Sequence, residues 1–268
     1  MIEISKETFE QYVPAFRDCE DEIFRTVEPM FEPIYTDFVS EQIGEMFDVI
    51  EDESNDLDVL RERLACYVCK RTAYEALPHL DLILTPNGFA VVSNQNLTPA
   101  SRQRVYDLRE RLRREKSDAR DKVKEEFLRQ GFDYAPNLLY SPTLLRKYGI
   151  RTRDGNPVYE EELQLLQSDI DAAQHKAAML ISEEQMQEIL NSFDGSTDEL
   201  IELCRRFMAA HIRRDDYNLR LLTHEVQGYL NRNADTPLLR AYRASSKYEA
   251  DHFQPYENRK NDACYFFG

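Results

Sequence analysis

The chain has 268 residues, a net charge of -16 at pH 7, and only eight glycines and eleven prolines. This length is enough to bury a hydrophobic core, in one large domain or in two smaller ones. The longest apolar runs are only a few residues, far short of a membrane-spanning helix, and the first ten residues are polar and acidic, unlike a signal peptide. We therefore expect a mostly helical cytoplasmic protein with no membrane partner.

The negative charge is concentrated in the first quarter of the chain. Between Asp18 and Glu62, sixteen acidic residues stand against only Arg25 and Arg61, and the remainder is close to balanced. An acidic surface repels phosphate backbones and lacks the cations on which nucleic-acid affinity depends. We expect this segment to be a solvated face, and we expect no sequence-specific nucleic-acid binding.

The five cysteines are an odd number and are scattered, which argues against a disulfide framework. Only Cys66 and Cys69 form a CxxC pair. A zinc site needs two further ligands at a matching spacing, and a redox pair belongs at a turn between a strand and a helix, whereas this pair lies inside a predicted helix. We interpret both residues as core cysteines.

The first third of the chain predicts helices. Ser5 is placed to cap a short helix that Pro14 kinks or ends. Apolar residues then recur at spacings of three and four from Phe16 to Phe47, with breaks at two prolines and a new start capped by Ser40. A wide apolar stripe from Leu57 to Leu77 predicts a buried central helix that ends at Pro78.

The next stretch, ALPHLDLILTPNGFAVVSNQNLTPASRQRV, holds nearly all the convincing strand signal of the chain. Apolar runs at 82–84 and 89–92 flank Thr85-Pro86-Asn87-Gly88, a sequence suited to a tight turn, so the pattern predicts a β-hairpin. An isolated hairpin is marginal in water. It must therefore pack on helices or pair with another strand.

A long charged helix is predicted after the hairpin. Thr98 caps it, Pro99 occupies its first turn, and Gly131 ends it. Its apolar stripe is narrow, with Lys116 where an apolar residue is expected. Arginines and acidic residues alternate along it at salt-bridging spacing, so we expect ion pairs within the helix rather than contacts with phosphates.

The second half of the chain predicts a linker followed by more helices. Residues 132–158 hold most of the remaining Gly and Pro, with one short helix capped by Ser141 and closed near Gly149. A further helix is predicted from Tyr159 to Ile181, and a capping box at 182–185 opens the next one.

The predicted fold is mainly α, a helical bundle with one short β-hairpin and a long charged helix after the hairpin. We predict three segments. They are a helical unit with the hairpin at 1–131, a linker at 132–158, and a second helical unit with an aromatic C-terminal tail at 159–268.

Sequence motifs for catalysis are absent. The chain contains no Walker loop, no Rossmann glycine motif, no HExxH and no GxSxG. His211, Asp215, Asp216 and His224 are the residues from which a metal-dependent hydrolase or nuclease would be built, but we interpret them as helix-surface residues. We predict a non-enzymatic protein with no catalytic residues, no cofactor and no metal.

The last residues of the chain are aromatic. Tyr265, Phe266 and Phe267 close a segment that is otherwise sparse in aliphatic residues. Leaving such a cluster in water costs roughly 1.5 to 3 kcal/mol for each large side chain that could have been buried. We expect the cluster to dock, either on the core of its own chain or on a neighbouring copy or partner.

Two family resemblances follow from these segments. The stretch ALPHLDLILTPNGFAVVSNQNLTPAS, the long charged helix and the ending YENRKNDACYFFG resemble an uncharacterised family encoded in phage-like regions of gut Bacteroidetes genomes. The first half also resembles the head-to-tail connector adaptors of tailed phages, which are small helical proteins that form a ring beneath the portal. Adaptors are usually shorter, and the segment after Phe132 has no counterpart among them.

The resemblance implies a structural or assembly protein of a phage-like element that acts through oligomerisation, located in the host cell cytoplasm or in the virion. It implies a homo-oligomer, a portal or tail protein as partner, and DNA passing along the acidic surface. The expected contact residues are Leu82, Leu84, Phe89 and Val91 of the hairpin and Tyr265, Phe266 and Phe267 of the tail. The alternative is a helical protein-binding or regulatory module without catalysis, in which the hairpin is only a brace.

Overall fold

A computed structural model gives the fold of the chain. It describes residues 4–17, 21–43, 47–52, 54–80, 83–85, 88–90, 102–132, 137–193 and 197–253. In this part of the chain the structure is mainly helical, as predicted. None of the helices described is long and apolar enough to cross a membrane.

The helices and strands follow in chain order. They are α1 (Lys6–Tyr12), α2 (Asp21–Val27), α3 (Phe31–Ile43), α4 (Phe47–Glu51), α5 (Asp58–Leu80), β1 (Ile83–Thr85), β2 (Gly88–Ala90), α6 (Arg102–Gln130), α7 (Pro142–Lys147), α8 (Glu160–Ile181), α9 (Glu183–Asn191), α10 (Glu199–Ile212), α11 (Asp216–Asn233), α12 (Arg240–Arg243) and α13 (Ser246–Asp251). Short 3-10 turns lie at Pro14–Phe16, Glu28–Met30 and Pro237–Leu239. Strands β1 and β2 pair antiparallel, with Leu84 opposite Phe89.

The first hydrophobic cluster is built by α1 to α6. Aromatic rings pack together in it: the Phe38 ring centroid lies 4.4 Å from that of Tyr67, and Phe38 stacks on Phe127 at 6.4 Å. Helix α5 crosses its centre, and Leu60, Leu64 and other residues of its wide stripe are fully buried. The predicted central helix is therefore confirmed, although it runs two residues past Pro78 to Leu80.

The second hydrophobic cluster is built by α7 to α12. Helices α8, α10 and α11 pack together, and α10 presents its buried face from Leu200 to Ala210 to both neighbours. Leu138, Leu139, Leu145, Ile150 and Val158, which lie within the segment predicted as a linker, are buried in this cluster. The division of the chain at 132–158 into separate domains stays a prediction.

Several predicted helix caps and helix ends are confirmed. The Ser5 hydroxyl accepts from the Thr8 amide at 3.2 Å and begins α1, and Ser141 accepts from the Leu144 amide at 3.2 Å and begins α7. Gly131 has a φ of +74° directly after α6, the left-handed conformation that glycine adopts without strain. The predicted start of α6 at Thr98 and Pro99 lies outside the described residues.

One predicted cap is wrong, and one predicted capping box forms only in part. Ser40 does not begin a helix, because α3 runs through it from Phe31 to Ile43 and its hydroxyl instead donates to the Asp37 carbonyl at 3.1 Å. Ser182 does cap α9, but the Gln185 side chain does not turn back to it as in a capping box. That amide instead reaches the C-terminal part of the chain, where its Nε2 donates to the Leu238 carbonyl at 3.1 Å.

Candidate interaction surfaces

Helices α5 and α6 lie antiparallel and hold each other through polar contacts along their length. The Arg63 guanidinium donates to the Lys122 carbonyl at 2.7 Å and lies 3.4 Å from the Glu126 carboxylate. Further along, Lys70 lies 4.0 Å from Glu115. Residue numbers rise on α5 as they fall on α6. The end of α5 and the start of α6 therefore meet at the same end of the pair, and β1 and β2 lie between them in the chain.

The predicted contact residues lie in or beside this connection and in the tail. Strands β1 and β2 form a two-stranded sheet, so each has an outer edge without a strand partner in the described part of the chain. The backbones of Leu84 and Phe89 lie opposite each other in that sheet. The remaining predicted contact residues, Leu82, Val91, Tyr265, Phe266 and Phe267, lie outside the described residues.

An ionic interface joins α6 to the start of α8, where three consecutive glutamates complement the positive end of the helix. The pairs are Arg113 with Glu162 at 2.7 Å and Glu161 at 3.1 Å, Lys116 with Glu161 at 3.1 Å, and Arg120 with Glu160 at 3.1 Å. The expectation of pairs within α6 is correct for Arg111, which lies 3.8 Å from Glu115. It is wrong for Arg113 and Arg120, which pair between helices.

This interface is partly withdrawn from water. The Lys116 side chain is only 9% exposed, and its ammonium lies 4.9 Å from the centroid of the Tyr74 ring. The Arg113 guanidinium lies 4.4 Å from the centroid of the Tyr159 ring. Burial raises the pKa of Glu161, but its backbone hydrogen bond and Lys116 outweigh this, so that the pKa lies below its usual value. Charge pairs in such a setting are screened less by salt than exposed ones.

Helix α6 also carries two buried carboxylates, Asp121 and Glu126. Asp121 accepts from the Thr143 amide at 2.8 Å, and its other oxygen has no hydrogen-bond partner. Burial raises the pKa of this carboxyl to about 6, against the opposing effect of Thr143. Glu126 is fully buried and accepts hydrogen bonds from Arg129 and from Gln130. Burial raises its pKa, but these hydrogen bonds bring the pKa below its usual value.

A groove of about 470 Å³ lies beside the ionic interface. Its walls come from α6, from the loop at 152–157 and from α8. Tyr106 is 60% exposed and Leu165 is 78% exposed, so two large apolar side chains line it in contact with solvent. Charged groups of both signs also line it, namely Arg113, Arg153, Glu110, Asp154 and Glu162. This surface is suited to an aromatic or aliphatic segment of a partner.

The four residues considered for metal chemistry lie in helices α10 and α11 or cap one of them. Asp215 is the N-cap of α11 and accepts from the Asn218 amide at 3.1 Å, and hydrogen bonds from Asn218 lower its pKa. His211 lies in the last turn of α10, whereas Asp216 and His224 lie on α11. Among the residues that the structure describes, no group of three His, Cys, Asp or Glu side chains is arranged to hold a metal ion.

The CxxC cysteines are free thiols within α5. Cys69 is fully buried, and burial raises the pKa of its thiol to about 12. Cys66 is half-buried, and burial also raises its pKa. A thiol with a raised pKa is a poor nucleophile and a poor metal ligand at neutral pH. Both cysteines behave as packing residues.

Sequence analysis missed two buried polar residues of the second cluster. Arg205 donates through Nε to the Leu138 carbonyl at 3.0 Å and through Nη1 to Thr197 at 2.9 Å. Gln185 accepts from the Tyr242 amide at 3.0 Å and so ties α9 to α12. The sequence sign of burial was a polar residue at a position where the helical periodicity requires an apolar one, as for Lys116. That signal does not reveal the distant partners, because Leu138 lies 67 residues from Arg205 and Tyr242 lies 57 residues from Gln185.

The chain was compared with known proteins. A family of unknown function (DUF6712) matches residues 29–143, a range that contains α3 to α6 with both strands. No curated protein and no solved structure matches the chain. The chain is thus similar to this family over residues 29–143, which include the antiparallel helix pair.

Proposed function

We propose that this protein is a structural or assembly protein of a phage-like element, of the head-to-tail connector or adaptor kind, which acts through oligomerisation and without catalysis. The observation that carries the proposal is the antiparallel pair of α5 and α6. The ion pairs and hydrogen bonds along the pair fix its two helices to each other, and the two strands between them have outer edges with no strand partner among the described residues. An open edge is a template for pairing with a strand of another chain.

The outward face of α3 supports the same proposal. Glu32 and Asp37 are exposed on it, whereas Phe31, Ile34 and Phe38 on the opposite face are buried. Arg25 and Arg61 are the only cations between residues 18 and 62, so this segment has a net negative charge. Such a surface is suited to lining a passage along which DNA moves without binding, because like charges repel.

The substitution Val91→Pro tests whether the strand edge pairs with a neighbouring copy. Proline removes a backbone donor, so the variant should lose self-association if the strand edge pairs with a neighbouring copy. Sedimentation velocity of the full-length protein measures the association. Val91→Ala, which shortens the side chain but keeps the amide, is the matched control and should associate as the unchanged protein does.

Light scattering coupled to size exclusion gives the broader test, with the protein alone and mixed with a candidate portal protein. Stable rings or a complex with the portal would support the proposal. A chain that stays monomeric at high concentration and binds no portal would contradict it.

The second candidate function is a helical protein-binding module without catalysis. The groove beside α6 and α8 favours it, because Tyr106 and Leu165 expose large apolar surfaces to solvent there. Tyr106→Ser with Leu165→Ser separates the two functions. Loss of partner binding with self-association intact would favour the binding module.

A further inference from the structure

The groove beside α6 and α8 leaves large apolar side chains in contact with solvent. Leu165 is 78% exposed and Tyr106 is 60% exposed, and both line it. Its volume of about 470 Å³ lies in the range of pockets that hold organic groups. Exposure of this kind is unfavourable when a second apolar surface within reach can cover it.

Residues 254–268, which we call the C-terminal tail, contain the matching apolar element. The tail lies outside the described residues, and its last four positions include Tyr265, Phe266 and Phe267. These aromatic side chains gain free energy by leaving water, as Leu165 and Tyr106 do. The two sets of side chains can therefore cover each other.

The start of the tail is fixed near the C-terminal end of α8. Gln185, in the first turn of α9, donates to the Leu238 carbonyl at 3.1 Å and accepts from the Tyr242 amide at 3.0 Å. Helix α13 then packs on α12, where the centroids of the Tyr248 and Tyr242 rings lie 5.4 Å apart. Because α9 begins directly after α8, the tail leaves Phe253 close to the end of α8.

The groove is within reach of the tail of the same chain. Leu165 precedes the last residue of α8, Ile181, by 16 residues, a rise of about 24 Å along the helix. Phe266 follows Phe253 by 13 residues, which span at most about 45 Å when extended. The tail can therefore pass along α8 and place its aromatic side chains in the groove.

An apolar line on α8 marks such a path. Ala172 and Met179 follow Leu165 at successive intervals of seven residues, and positions seven apart lie on one side of a helix. All three side chains are exposed, Met179 to 54%. A segment that runs from the end of α8 to the groove therefore meets apolar side chains along its way.

The charges of the groove are compatible with the tail. Glu110, Arg153 and Asp154 line the groove and form no ion pair among the residues that the structure describes. The tail carries charges of both signs just before its aromatic cluster, in Glu257, Arg259, Lys260 and Asp262. A counter-ion in the tail thus exists for each of the unpaired groups of the groove.

We infer that the groove is the docking site of the C-terminal tail of the same chain, with Phe266 and Phe267 against Leu165 and Tyr106. A second copy offers the same tail only at its free concentration, whereas a segment on a short tether competes at an effective concentration of order millimolar. The inference is independent of the strand edge and of assembly. Under the second candidate function, a partner of the groove must first displace the tail.

Disulfide cross-linking in the full-length protein tests the inference. Arg153→Cys places a thiol in the groove wall, and Cys264 lies directly before the aromatic cluster. Cys19→Ser and Cys66→Ser remove competing thiols. Mild oxidation should then join the new thiol to Cys264 within one chain. Electrophoresis without reductant shows the product as a monomer, and mass spectrometry identifies the linked peptides.

Glu184→Cys, in place of Arg153→Cys, is the matched control. Glu184 is exposed in the first turn of α9, nearer to the start of the tail than the groove is, and it does not line the groove. A tail that does not bind the groove should cross-link to this position at least as fast as to position 153. We expect the reaction at position 153 to be faster by roughly tenfold, because docking raises the local concentration of Cys264 there.

Serine substitutions in the same background test the apolar contact. Leu165→Ser, or Phe266→Ser with Phe267→Ser, should slow the cross-link at position 153 by roughly tenfold, because each removes apolar surface that docking buries. Leu221→Ser is the control, since Leu221 is an exposed leucine of α11 outside the groove. Circular dichroism establishes that each variant folds.

Three outcomes would overturn the inference. They are equal rates at position 153 and at the Glu184 control, a rate at position 153 that Leu165→Ser leaves unchanged, and a disulfide-linked dimer in place of the linked monomer. The dimer would show that the tail of a neighbouring copy occupies the groove. None of these outcomes bears on the strand edge, which Val91→Pro tests separately, so the proposed function stands or falls by its own experiment.

Discussion

Asp121 shows how one carboxyl completes a short helix on another element. Helix α7 begins with Pro142, which has no amide hydrogen to satisfy. The amide of Thr143 is satisfied by Asp121 and the amide of Leu144 by Ser141, at 2.8 Å and 3.2 Å. The first turn of α7 is therefore fully bonded only because α6 supplies an acceptor.

Burial makes that acceptor sensitive to pH. The pKa of Asp121 is raised from 3.8 to about 6, so its contribution to stability is complete below about pH 4 and is lost as pH rises through 6. Asp121→Asn keeps an acceptor for Thr143 and removes the charge. We expect the variant to be more stable than the unchanged protein by roughly 2 to 3 kcal/mol at pH 8 and nearly equal to it at pH 4.

Urea denaturation at a series of pH values measures this difference. Asp107→Asn is the control, since Asp107 is exposed on the same helix and accepts from the Gln103 side chain. The control should leave the pH dependence unchanged. A difference for Asp121→Asn that does not grow between pH 4 and pH 8 would contradict the assignment.

Local helix caps can be predicted from the sequence, whereas contacts between residues far apart in the chain cannot. The caps at Ser5 and Ser141 depend on neighbours three residues away and are predictable. The burial of Asp121 depends on α7, more than twenty residues further along. For Lys116 the sequence shows that an apolar stripe is interrupted, but not that Glu161 lies opposite it.

At the scale of elements, the ionic interface between α6 and α8 determines what the polar side of the long helix α6 packs against. Sequence periodicity predicts α8 and the end of α6 within a residue of where the structure has them, and the narrow apolar stripe of α6 indicates that it needs other contacts. It does not indicate that those contacts are ionic. The cations were expected to pair within α6 because acidic residues at the right spacing lie on the same helix, but tertiary packing brings Glu160, Glu161 and Glu162 closer.

A double-mutant cycle on Arg113 and Glu162 measures the strength of this interface. Both side chains are 23% exposed, so we expect a coupling free energy of about 1 kcal/mol, at the upper end of the range for surface pairs. The cycle uses the alanine variants singly and together, followed by urea denaturation. Sodium chloride should lower the coupling only weakly, because partial burial limits screening.

The pair of Arg111 and Glu115 provides the comparison. It lies within α6 at 3.8 Å, and Arg111 is 58% exposed. Its coupling should be about 0.3 to 0.5 kcal/mol and should fall steeply with salt. Equal couplings for the two pairs would show that the interface contributes no more than an ordinary surface pair.

At the scale of the whole molecule, α6 belongs to both hydrophobic clusters. Phe127 packs in the first cluster against Phe38, and Leu128 packs in the second. Adjacent residues on one helix thus face different cores. The predicted division into two helical units describes the order of segments along the chain. Whether the two units unfold separately depends on how strongly the shared helix α6 couples their cores.

Phe127→Ala tests the coupling of the two clusters. Removal of this fully buried ring should lower the free energy of unfolding by about 3 to 5 kcal/mol. Because α6 is shared, amide protection in α10 should fall along with that in α5. Hydrogen exchange read by mass spectrometry measures both.

Leu230→Ala is the reciprocal change, since Leu230 is buried in the second cluster on α11. It should reduce protection in α5 as well as in α10. Protection that falls only in the cluster that carries the substitution would show two independently stable units.

The antiparallel pair of α5 and α6 also has a mechanical consequence. With 29 residues at 1.5 Å each, α6 is about 43 Å long, and the contacts from Arg63 to Glu126 and from Lys70 to Glu115 are spread along it. A force that slides α5 and α6 past each other along their axis loads these contacts in parallel, as shear, rather than one after another. We therefore expect the pair to resist axial sliding, and α6 joins it to the start of α8 through the ionic interface.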